Sequence, residues 1–126
     1  MTYTTVTYCG NDHTVWLNSI DFYKNEFDTL EKRLVEVAGK NNGSEPMAWV
    51  EHFQNQFLIQ RNNMAELRHS IHDHAGKVSS DAKLHAGKME TGLAGEHDDM
   101  KERFAHFEKI VKDLRAEFNQ FLSKWM

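Results

Sequence analysis

The sequence predicts an all-α fold, an antiparallel up-down-up bundle of three long helices. Two observations carry that expectation. Apolar residues recur at alternating steps of three and four along three separate segments, the signature of helices packed at shallow angles. The stretches between breakers are also long, because the single proline is Pro46 and the seven glycines all fall between Gly10 and Gly95. Such punctuation favours long helices over a strand-rich fold.

The first helix is expected over 12–39, after an N-terminal tail at 1–11. Its stripe reads Trp16, Ile20, Tyr23, Phe27, Leu30, Leu34 and Val37. Asn11 or Asp12 is the natural N-cap. Gly39 and the following Lys40-Asn41-Asn42-Gly43 turn are the natural stop. The second helix is expected over 45–75, opened by Ser44-Glu45-Pro46. Proline is harmless in a first turn, where its missing N–H would have no partner. Its stripe reads Val50, Phe53, Phe57, Gln60, Met64, Leu67, Ile71 and His74, with Gly76 as the stop. Residues 76–95 carry Ser79, Ser80, Gly87 and Gly92 and read as a connection or a short fourth helix.

The third helix is expected over 96–125. Glu96, Asp98, Asp99 and Glu102 in its first turns oppose the positive end of the helix dipole. Its stripe is His97, Met100, Phe104, Phe107, Val111, Leu114, Phe118, Phe121 and Trp125. Each helix should run roughly 28 residues, or about 42 Å. Equal lengths let every rung find partners in an antiparallel bundle. One layer should join Trp16, Ile71 and Met100, and the next should join His13, His74 and His97.

Composition narrows the function. The 126 residues suit one helical-bundle domain, 1–126. A net charge of −4 without a lysine–arginine cluster argues against binding nucleic acid through phosphate neutralisation. No apolar run approaches the roughly 20 residues of a membrane span. Residues 1–12 are polar and lack the apolar stretch of a signal peptide. The single cysteine excludes an intramolecular disulfide framework. Together these predict a cytoplasmic protein without nucleic-acid or membrane partners.

His13, His74 and His97 each extend a heptad stripe by one step, and all three fall at the same end of the expected bundle. Imidazole is the commonest metal-binding side chain. The leading expectation is a divalent transition metal, zinc or iron, held by these three residues. Fourth-ligand candidates are Cys9, Asp73, His85, Glu96 and Asp98, all near the histidines in sequence or in the adjoining connection. The competing reading is a half-solvated polar layer capping the bundle.

Other constellations are weaker. Glu66-Leu-Arg-His69 matches one half of the motif of di-iron carboxylate bundles, which need a second copy and two more carboxylates. The sequence has no second copy, and His69 falls on the outer face, as does His72. Gln60 interrupts the second stripe and reads as a register-setting residue, with Tyr23 close enough to donate a hydrogen bond to it. No nucleophile elbow, Cys-x-x-Cys or phosphate loop is present to support catalysis. Cys9 beside His13 is the single pairing that resembles an activated thiol.

Val15, Phe22, Leu58 and Ile59 lie off the stripes. A set of four outer apolar residues calls for cover, by residues 78–93, by the N-terminal tail at 3–8 or by a second copy of the chain. The second functional expectation is therefore a protein-interaction module or homodimer that uses these residues as its partner surface.

Overall fold

The computed structural model describes residues 3–84 and 91–126, with side chains described over 9–80 and 93–126. Three helices make up the fold: α1 (Tyr3–Lys40), α2 (Ser44–Leu84) and α3 (Thr91–Trp125). Every pair of helices is in contact. Contacts between α1 and α2 pair rising numbers with falling ones, as in Arg61 with Glu31 and Arg68 with Asp21. The same holds for α2 and α3, from His52–Glu117 to His74–His97. Between α1 and α3 both numbers rise together, from Asp12–His97 to Glu26–Arg115. The helices therefore run up, down and up.

The three stripes converge on one core. Phe27, Val37, Phe53, Val111, Phe118 and Ile71 are fully buried within it. Phe27 meets Phe57 edge-to-face at 5.1 Å, and Phe57 meets Phe118 at 5.2 Å, the geometry that aromatic quadrupoles favour. Trp16 lies against Phe104 at 5.9 Å, just inside the histidine layer. The turn between α1 and α2 is tied to the far end of α3, because the Asn41 amide donates to the carbonyls of Val37 and Trp125 at 3.0 and 2.9 Å. Register along the rims is marked by Arg61 on Asp28 and Glu31, and by Arg115 on Glu26.

All three helices extend further than the sequence limits suggest. The expected tail is helical from Tyr3. Gly76 does not stop α2, which continues to Leu84. Helix α3 starts at Thr91 rather than 96. Residues 76–84 and 91–95 thus belong to the long helices, and no short fourth helix exists among the described residues.

The physical reason is a further apolar layer. Cys9 and Val78 are buried together, with Leu93 and Ala94 packed on them. Each of Cys9, Val78 and Leu93 lies four residues from a histidine of the stripe, so the heptads run through the histidines and onward. Burial of that layer outweighs the roughly 1 kcal/mol that one glycine costs a helix interior. The histidine layer is therefore interior, and the expected half-solvated terminal layer is not what forms.

Tyr23 also differs from expectation. Its hydroxyl donates to Glu108 at 2.5 Å instead of reaching Gln60. Gln60 is buried and accepts a hydrogen bond from Asn63 at 3.2 Å. Among the described residues no helix is long and apolar enough to cross a membrane.

Candidate metal centre

His13, His74 and His97 come from three different helices and meet in one layer. Each is at least nine-tenths buried, with 6%, 3% and 6% of its surface exposed. Ring centroids are 5.1 Å apart for His13–His74 and for His13–His97, and 5.4 Å for His74–His97. Each residue offers a ligand nitrogen within 4.8 Å of the other two. Trp16 forms one wall by stacking on His97 at 5.0 Å and lying 5.6 Å from His13. Cys9 and Val78 pack together one helical turn beyond His13 and His74.

The closest approach is between Nε2 of His74 and Nδ1 of His97, at 3.3 Å. With metal–nitrogen bonds of about 2.0–2.1 Å, the edge of a tetrahedral site is about 3.3–3.4 Å. This pair is already spaced as two ligands would be. Nε2 of His13 is buried with no hydrogen-bond partner among the described residues. A buried polar nitrogen in that state costs on the order of 1–3 kcal/mol.

Carboxylates stand behind two of the rings. Nε2 of His97 lies 2.8 Å from Oδ2 of Asp12. Nδ1 of His74 lies 3.4 Å from Oε2 of Glu96, close enough for an ion pair but without hydrogen-bond geometry. Glu96 also lies 3.8 Å from the Lys77 ammonium, so its charge is shared.

Burial dominates the electrostatics. It pushes the His13 imidazole down from 6.5 to about 4, with the neighbouring His74 and His97 adding to the fall and Asp12 opposing it. Burial also lowers His74, while Glu96 pulls it back up. His13 and His74 are therefore neutral at pH 7, the form in which imidazole binds metals. Burial raises the Cys9 thiol, and the negative charges of Asp12 and Asp98 raise it further. A thiol held up in this way is not the activated nucleophile that the Cys9–His13 pairing suggests.

The fourth-ligand candidates separate. Cys9 is buried one turn from His13 on α1, in the apolar layer rather than in a tail folded over the site. It is not part of the ligand-distance group that the three histidines form. Asp73 and Asp98 are exposed, and Asp73 pairs with Lys77 at 3.6 Å. Glu96 stands behind a ring, not among the three ligand nitrogens. His85 lies outside the described residues. His69 and His72 are exposed on α2. A groove of about 290 Å³ between α2 and α3 reaches the outer edge of His74, bordered by Lys77, Glu96 and Arg103.

Asp12 is the residue that sequence reasoning missed. It reads as a helix cap when the helix is taken to begin at 12. Inside a helix that begins at Tyr3, it sits beside the core stripe and faces α3. Its signal was the apolar heptad continuing back to Cys9. Comparison with family models, with curated proteins and with solved structures finds no match to this chain.

Proposed function

We propose that this protein binds one divalent transition metal ion per chain through His13, His74 and His97, with zinc the first choice and iron(II) the second. The observation that carries the reading is the interior imidazole layer. His13 keeps a buried nitrogen without a partner, beside two more ring nitrogens already 3.3 Å apart. Apolar layers lie on both sides of it, so solvent does not explain its polarity. Imidazole donors suit zinc, iron, copper and nickel alike. Three histidines with a water would give the open geometry of catalytic zinc sites.

The test is metal analysis and titration calorimetry on full-length protein without a histidine tag, stripped with chelator and reloaded with zinc. One ion per chain is expected. His13→Ala, His74→Ala and His97→Ala should each abolish stoichiometric binding. His52→Ala and His106→Ala should keep it, since His52 pairs with Glu117 on the rim and His106 is exposed. Equal zinc content in all five variants would refute the assignment, as would a wild type that takes up none.

A second reading rests on a different observation. Val15, Phe22 and Leu58 are each 59% exposed and Ile59 is 48% exposed. Four large exposed apolar residues support an interaction surface that a second copy of the chain or another protein would cover.

A further inference from the structure

Resting on the metal reading, we propose that Asp12 and Glu96 are positioning residues that decide which ring nitrogen each histidine turns to the ion. His97 would ligate through Nδ1 and His74 through Nε2. Asp12 Oδ2 lies 2.8 Å from His97 Nε2. His97 Nδ1 lies 3.3 Å from His74 Nε2. His74 Nδ1 lies 3.4 Å from Glu96 Oε2.

An ionised carboxylate only accepts hydrogen bonds. Each end of this chain therefore calls for an N–H from the ring it faces. With one N–H on each ring, that of His97 at Nε2 reaches Asp12 and that of His74 at Nδ1 faces Glu96 at 3.4 Å without closing a hydrogen bond. The two inner nitrogens are left with lone pairs aimed at one another, which is repulsive unless a cation lies between them. A proton can serve only two nitrogens. A metal ion serves a third as well, and the partnerless Nε2 of His13 supplies it. The Asp12 carboxylate, one-quarter exposed, also offsets part of the charge of a divalent ion, which lowers the penalty of burying it. Outer carboxylates of this kind fix the tautomer and raise the basicity of a ligating histidine.

Asp12 has the stronger hold of the two. Its contact is shorter, its carboxylate is 25% exposed against 50% for Glu96, and Glu96 divides its charge with Lys77. Asp12→Asn keeps the shape and removes the charge. It should lower zinc affinity by about 10- to 100-fold, the usual loss for an outer-sphere partner. Asp12→Glu should recover part of that, and Glu96→Gln should cost less than Asp12→Asn.

A spectroscopic readout separates positioning from a purely structural role. In zinc-loaded, nitrogen-15-labelled full-length protein, long-range proton–nitrogen correlations identify which ring nitrogen carries hydrogen. Hydrogen on Nε2 of His97 and on Nδ1 of His74 is expected. One zinc per chain bound through Nε2 of His97, or wild-type affinity in Asp12→Asn, would overturn the positioning role and leave the three-histidine site standing. A wild type that binds no zinc would overturn both.

Discussion

His13 is the side chain on which the centre turns. Among the described residues no carboxylate stands behind its orphaned nitrogen, and burial holds it neutral down to about pH 4. In the unfolded chain the same residue protonates near 6.5. The unfolded state therefore binds more protons between these values, and stability falls as pH falls through that window. Metal-free protein should keep its full histidine-linked stability above about pH 6.5. It should lose on the order of 2–3 kcal/mol on approaching pH 4, since each pH unit inside the window removes at most about 1.4 kcal/mol. Urea denaturation at a series of pH values reads this directly. His13→Leu should flatten the dependence and raise metal-free stability at pH 5, while ending zinc binding. An unchanged pH profile in that variant would show that His13 is not the group responsible. Zinc affinity should weaken in the same acid range, because protons compete for the ligand nitrogens.

The helices themselves were extended by packing rather than by propensity. Gly76 sits inside α2 between His74 and Val78, and a methyl group added there meets nothing within 4 Å. Gly76→Ala should therefore stabilise the protein by about 0.5–1 kcal/mol, through helix propensity and a less free unfolded chain. Val78 tests the other half of the explanation. It is 4% exposed against Cys9, so Val78→Ser should destabilise by roughly 1–3 kcal/mol and loosen the histidine layer beside it. Thermal unfolding followed by circular dichroism checks both. A neutral Val78→Ser would mean that the outermost layer does not hold the helices together.

The whole molecule is an interior sealed by aromatic and aliphatic layers, with rim ion pairs that contribute modestly and mainly set register. Its outer apolar residues stand apart from that core. Phe22→Glu combined with Leu58→Glu touches only exposed positions. Helicity should be preserved and unfolding free energy should stay within about 0.5 kcal/mol per site, the range for surface changes. Sedimentation velocity on the same variant reads the second function. If this face joins two copies, the substituted protein sediments as a folded monomer where the wild type does not. Should the substitutions unfold the chain instead, these residues would be supporting the core and not waiting for a partner.

The number of helices, their antiparallel course and the level of the three histidines were all legible in the chain. Each follows from a local rule. Steps of three and four place residues on one side of a helix whatever lies opposite, and stripes of similar length leave few ways to pair. Helix ends away from the histidines were legible to within one residue, at Lys40, Ser44 and Trp125, but those beyond the histidines were not, because Gly76 and the polar run before Cys9 are local stop signals that burial between helices overrode. The roles of Asp12 and Glu96 were hidden for a related reason. Heptad spacing decides which side chains enter the core. Which ring nitrogen faces which carboxylate depends on the rotation of neighbouring helices and on side-chain rotamers, and these exist only once three helices are packed together. The sequence by itself determined that three imidazoles share a layer. The tertiary structure alone decided that the layer is interior, that Nε2 of His13 lacks a partner among the described residues, and that carboxylates stand behind the other two.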